Sequence, residues 1–152
     1  MKKLSIATNN LASTEKLGRT IGAHLRGGEV IELVSDVGGG KTTLVRAIAA
    51  GAGSKDTVTS PTFTINKLYQ AAELTLAHFD FYRLNDAGVV ASELAEHLEQ
   101  TDTVVLIEWP ELINDLLPDR RLRILIEASG ETKRTFCLEY PPSLAYLVEG
   151  AK

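Results

Sequence analysis

Cysteine is all but missing from this sequence: Cys137 is alone among 152 residues. A lone cysteine excludes an internal disulfide and a cysteine-based zinc cluster, and suits a reducing cytosol. Its surroundings, "TFCLEY", read as a strand, where a buried and inert thiol is expected. Long apolar runs are absent too, and nothing approaches the roughly 20 residues needed to cross a bilayer. The start, "MKKLSIATNN", has two lysines but no apolar stretch behind them, so no secretory signal is expected. A cytoplasmic protein without membrane contact follows as the expectation. Basic residues are in deficit, 16 against 20 acidic, for a net charge of −4. A protein that grips a nucleic-acid backbone by itself usually carries a basic stripe. The nearest approach is "DRRLR" at 119–123, which reads as a solvated strand edge. No repeat, low-complexity tract or linker appears, and the length suits one domain over residues 1–152.

What is present is an alternation of strand and helix patterns. Ser13 is placed to cap a helix running to about Arg26, with Leu17, Ile21 and Leu25 on one face and Gly27-Gly28 as the stop. "EVIELV", 29–34, reads as a buried strand, and "KTTLVRAIAA" has the composition of a helix closed by Gly51 and Gly53. Between them lies "SDVGGG". Downstream, "TFTINKLY" (62–69) and "LTLAHFDFY" (74–82) read as a hairpin across "QAAE". Alternation turns Phe79 and Phe81 one way and His78, Asp80 and Tyr82 the other. A helix is expected over 91–100, a second apolar strand over 103–109, a turn or short helix from Pro110, and a closing antiparallel pair from "RLRILIEA" and "KRTFCLEY". The expected fold class is α/β, a three-layer domain of the P-loop NTPase kind with a mixed sheet.

The stretch "SDVGGGKTT", 35–43, nearly spells G-x-x-x-x-G-K-[ST]. Such a loop curls successive backbone N–H groups into an anion-binding nest at a helix N-terminus. Gly38, Gly39 and Gly40 supply the nest, Lys41 the cation for the β- and γ-phosphates, and Thr42 the hydroxyl for Mg²⁺. Ser35 stands where the first glycine is usual; were a positive φ required there, serine would cost about 1 kcal/mol. Phosphoryl chemistry also needs a carboxylate near the metal. Glu108, at the end of "VVLIE", is placed to bind Mg²⁺ through water or to orient the attacking water. Asp80 is a second acid on a polar strand face. Ser60 and Thr62, in "SPT", read either as a plain turn or as a switch-like segment with Thr62 near the γ-phosphate. Trp109 either packs as a strand-end residue or lines the nucleotide site. The guanine signature N-K-x-D fails at Tyr69 of "NKLY", so ATP is the expected nucleotide.

The ordered set "GKTT", "SPTF", "HFDFYRL" and "LIEWPE" resembles the TsaE (YjeE) family of small bacterial ATPases in tRNA threonylcarbamoyladenosine synthesis. The resemblance runs from the first helix to about Leu117. It implies a Mg-dependent ATPase working with the TsaB–TsaD pair, with tRNA held mainly by those partners. It further implies that Lys41 holds phosphate, Thr42 the Mg²⁺, and Thr43 the α-phosphate side. Asp80 and Glu108 become catalytic acids, and Trp109 lies near ATP or ADP. The family loop usually reads G-D-x-G-A/S-G-K-T-T; Ser35 and Gly39 depart from it, which bears on nucleotide affinity. Two other functions share these motifs: a nucleotide-gated, non-catalytic binding subunit, and a small-molecule kinase, for which residues 110–130 offer three arginines but no evident lid.

Overall fold

The computed structural model describes residues 1–36, 38–61, 65–86 and 88–152, and only the backbone of Val89. The strands are β1 (Lys2–Thr8), β2 (Val30–Val34), β3 (Asn66–Ala71), β4 (Leu74–Asp80), β5 (Thr103–Glu108), β6 (Leu122–Ala128) and β7 (Arg134–Tyr140). The helices are α1 (Leu11–Ala23), α2 (Lys41–Gly51) and α3 (Gly88–Glu99), with short 3₁₀ helices over Pro110–Leu116 and Pro142–Val148. The strands form one mixed sheet in the order β1-β7-β6-β2-β5-β4-β3. Strand β2 pairs parallel with both β5 and β6, and β4 pairs parallel with β5. The flanking pairs β3–β4, β6–β7 and β1–β7 are antiparallel.

The layers follow from alternation along the strands. Ile31, Leu33, Leu106, Ile124 and Leu138 point to one face and pack on Leu17 and Ile21 of α1 and Leu44, Val45 and Ile48 of α2. Val30, Ala77, Phe79, Val105 and Ile107 point to the other, against Leu94 of α3 and Ile113 of the first 3₁₀ helix. Phe79 and Phe81 share this second cluster, as the hairpin pattern requires, leaving His78 and Asp80 on the α2 face. The α/β expectation holds, with helices on both faces of a mixed seven-stranded sheet.

Several boundaries differ from the pattern. Helix α1 is capped by Asn10, whose side chain accepts from the Ser13 N–H, and it stops at Ala23. The hairpin turn is tighter than "QAAE", because β3 runs through Ala71. Strand β1 carries an alternating KLSIAT pattern hidden behind two lysines, and becomes a strand by pairing along its length with β7. Cys137 is half-buried rather than buried, since it alternates with Phe136 and Leu138, which take the core side of β7. The segment at 119–123 is solvated only in part and is not an edge: Asp119 and Arg120 are exposed, but β6 lies between β7 and β2. Arg121 Nε lies 2.7 Å from Glu32 Oε2 and Arg123 Nε 3.5 Å from Oε1. Glu32 is buried within β2, and a buried carboxylate needs such partners.

Candidate functional site

The parallel strands β2, β5 and β4 end together, and the glycine loop rises from the end of β2. In open α/β sheets this carboxyl edge is where ligands bind. The register is close: Leu33 of β2 stands opposite Glu108, and Glu108 stands opposite Asp80. A cleft of about 430 Å³ opens there, lined by Gly38, Gly39, Gly40, Lys41, Thr42, Thr43, Ser60, Asp80, Tyr82, Arg83, Glu108 and Trp109. The expected loop residues, both acids, Ser60 and Trp109 are thus brought together. Thr62 lies outside the described residues. The cleft adds Tyr82 and Arg83, which no motif marks; alternation alone sets Tyr82 on the Asp80 side, just past the end of β4.

Gly38 and Gly40 take φ values of 79° and 101°, in the region L-side chains avoid. The Gly39 N–H donates to the Asp36 carbonyl at 3.0 Å, closing the loop, and Gly40 caps α2. The open helix N-terminus is the physical basis of anion binding. Ser35 does not take a positive φ, so the backbone strain anticipated for serine does not arise. Its hydroxyl instead joins the site. Lys41 Nζ donates to Ser35 O at 3.1 Å, Ser35 Oγ at 3.2 Å and Asp36 O at 3.3 Å. Burial pushes the Lys41 pKa below its ordinary value, opposed by the charges of Glu108, Asp80, Asp36 and Glu111.

Trp109 adopts a left-handed backbone, φ 56°, at the cap of the first 3₁₀ helix. That geometry lays its indole 4.3 Å from Lys41 Nζ, a cation–π contact, and 4.8 Å from the Tyr82 ring. On the acidic side, Asp80 Oδ1 accepts from the Tyr82 N–H at 2.9 Å. Glu108 Oε2 lies 2.8 Å from Nε2 of His78. Among the described residues no three His, Cys, Asp or Glu converge to hold a metal ion unaided. A single hydroxyl, Thr42, with neighbouring carboxylates suits Mg²⁺, which keeps waters and takes oxygens from substrate phosphates.

A second cavity of about 190 Å³ adjoins the first and shares Gly39, Gly40 and Thr43 with it. Asn10, Leu11, Thr14, Glu131, Thr132 and Arg134 line it from α1 and the β6–β7 turn. These positions carry no motif and are assembled by the pairing of β1 with β7 and the packing of α1 on α2. The segment "NKLY" lies in β3, where Tyr69 is buried and its hydroxyl donates to the Thr59 carbonyl at 3.0 Å.

A mixed sheet with a glycine loop between a central parallel strand and a helix, and acids at the neighbouring strand ends, places the chain in the P-loop class of α/β proteins. Within that class the family model "Threonylcarbamoyl adenosine biosynthesis protein TsaE" matches residues 8–136, beyond Leu117 where the motif resemblance ends. The chain belongs to the TsaE family. It is 38% identical over 134 residues to a Bacillus subtilis protein named tRNA threonylcarbamoyladenosine biosynthesis protein TsaE, covering 88% of this chain and 84% of that one. A Streptomyces coelicolor protein of the same name is 36% identical over 77% of this chain and 81% of its own length. The crystal structure of YdiB from Bacillus subtilis superposes with a TM-score of 0.77 at 31% identity, covering 99% of this chain and 94% of that one. No described helix is long and apolar enough to cross a membrane.

Proposed function

We propose that this chain is a cytoplasmic Mg-dependent ATPase that works with a TsaB–TsaD pair in attaching threonylcarbamoyl to the adenosine beside the anticodon of ANN-reading tRNAs. The observation that carries the reading is one cleft holding the glycine nest, Lys41, Thr42, Asp80 and Glu108. The triphosphate lies along Gly38–Thr43, with its γ end toward the two acids. The shared wall at Gly39, Gly40 and Thr43 lets the nucleoside end enter the second cavity, beside Asn10, Thr132 and Arg134. Lys41 leaves its contacts with Ser35 and Asp36 to meet the transferring phosphate. Mg²⁺, when bound, neutralises charge on the phosphate oxygens; Thr42 and the acids are the residues to hold it. Glu108 and Asp80 orient water, and Trp109 with Tyr82 walls the cleft from solvent. The acidic net charge of −4 leaves the tRNA backbone to the partners.

The kinase reading finds no lid in its three arginines. Arg121 and Arg123 are tied to Glu32, and Arg120 lies against the Tyr146 phenol. The test is phosphate release from ATP, alone and with TsaB and TsaD, for the wild-type protein and Lys41→Ala. Hydrolysis that partners stimulate and Lys41→Ala nearly abolishes is expected. Tight ATP binding without release, with or without partners, turns the reading to a nucleotide-gated binding subunit. Normal hydrolysis by Lys41→Ala removes the site.

A further inference from the structure

His78 is fully buried, yet none of the roles above uses it. It sits on β4 opposite Leu106 of β5, one pleat before the Asp80–Glu108 pair and on the same face. From there its Nε2 reaches Glu108 Oε2 at 2.8 Å, and both side chains are almost wholly out of water. A carboxylate only accepts, so Nε2 carries the hydrogen and donates it. The other ring nitrogen, Nδ1, is buried with no hydrogen-bond partner among the described residues. A histidine is an expensive choice for this place if packing alone is served. On the same face, Leu76 of β4 and Leu106, opposite His78 on β5, are fully buried apolar groups, which leave no polar atom stranded. The one thing the imidazole provides that an apolar side chain cannot is the tie to Glu108.

We propose that His78 is a positioning residue: it pins Oε2 of Glu108, fixes the plane of that carboxylate at the end of β5, and so presents Oε1 to the cleft at a set angle. The inference rests on the hydrolytic reading of the cleft. Catalytic groups are effective when their orientation is fixed before reaction, and a carboxylate free to rotate about its last torsions loses that advantage. The ring, fully buried on the sheet face, is carried by a strand rather than by the loop. A metal-bound or attacking water then meets one oxygen rather than either of two.

Two polar substitutions separate positioning from packing. His78→Gln carries an amide N–H to where Nε2 lies; His78→Asn is shorter, placing its amide near Nδ1 and out of reach of Glu108. With TsaB and TsaD, His78→Asn is expected to lose about tenfold or more in kcat with little change in KM, and His78→Gln to recover most of it. In a Glu108→Gln background, His78→Asn adds no comparable loss. Thermal unfolding of each variant is followed alongside; a packing role would lower Tm and activity together in both. The overturning result is a folded His78→Asn with wild-type turnover, or equal losses in His78→Asn and His78→Gln. Failure of the wild-type protein to hydrolyse ATP would count against the hydrolytic reading itself. The positioning claim is then decided by the Mg²⁺ dependence of nucleotide binding, read from Trp109, the one tryptophan. A rise of about fivefold or more in the Mg²⁺ needed by His78→Asn but not His78→Gln upholds it, and no difference between them ends it.

Discussion

At the scale of single residues, the loop's two departures from the family pattern belong together. A Cβ added at Gly39 would come within 2.4 Å of Ser35 Oγ and 2.8 Å of Ser35 Cβ. Serine at 35 therefore requires glycine at 39, and the hydroxyl gained is spent on Lys41. Ser35→Gly is expected to change ATP affinity by about tenfold or less, since no backbone strain is released. Gly39→Ala alone weakens binding, and the double variant recovers; equal losses in the single and double variants would show the two positions to be independent. Glu108→Gln and Asp80→Asn are expected to bind ATP within about tenfold of wild type while losing on the order of a hundredfold in turnover. Normal hydrolysis by both, with partners present, makes these acids structural. Lys41 adds a pH dependence. Burial sets its folded pKa below the ordinary 10.5, so the ammonium costs stability at neutral pH, and that cost is relieved as pH rises through the folded value. Binding moves the opposite way: ATP affinity falls on the alkaline side before an ordinary lysine would titrate. A titration of Trp109 fluorescence from about pH 7 to about pH 10 checks this, with Lys41→Arg expected to flatten the fall. The glycines, Lys41, Thr42 and the acids were legible because each is a residue type fixed by its chemistry. The tie between Ser35 and Lys41 was not, because it depends on the lysine folding back over its own loop.

Among the elements, α1 and α2 meet through glycine. A Cβ at Gly22 would stand 2.0 Å from the Ile48 carbonyl oxygen, and one at Gly51 would stand 2.2 Å from that of Arg19. Glycine inside a helix costs up to about 1 kcal/mol of helix propensity, which the close approach of the two backbones offsets. Gly22→Ala is expected to destabilise by about 2 kcal/mol or more, lowering Tm on the order of 5 °C, and to loosen nucleotide binding by shifting α2 under the loop. Differential scanning calorimetry decides it; an unchanged Tm means the helices are not in such contact. The same contrast explains which elements the sequence disclosed. Strand β2, α2 and β5 have strong apolar patterns of their own. Strand β1 and the second 3₁₀ helix do not: β1 is held by β7, and the 3₁₀ helix by Leu144 and Leu147 in the core and by Tyr146, whose hydroxyl donates to buried Glu29 at 2.8 Å.

For the whole molecule, specificity is set where distant segments meet. With Tyr69 committed to the Thr59 carbonyl, β3 offers no aspartate to a guanine edge. Unlabelled GTP is accordingly expected to displace labelled ATP far less well than ATP itself; equal competition would reject the adenine preference. The strand order has a temporal consequence. The loop-bearing strand β2 is flanked by β5 and β6, and the outermost strand β1 waits for β7. Residues 30–34 leave the ribosome well before 103–108 and 122–125, and Lys2 before Tyr140. Non-local parallel pairing is slow because a long loop must close before any contact forms. The nascent chain therefore carries its glycine loop on a strand with neither partner strand beside it until most of the polypeptide has emerged. Nucleotide binding is a property of the finished chain, and ribosome-stalled chains ending before Thr103 should show none.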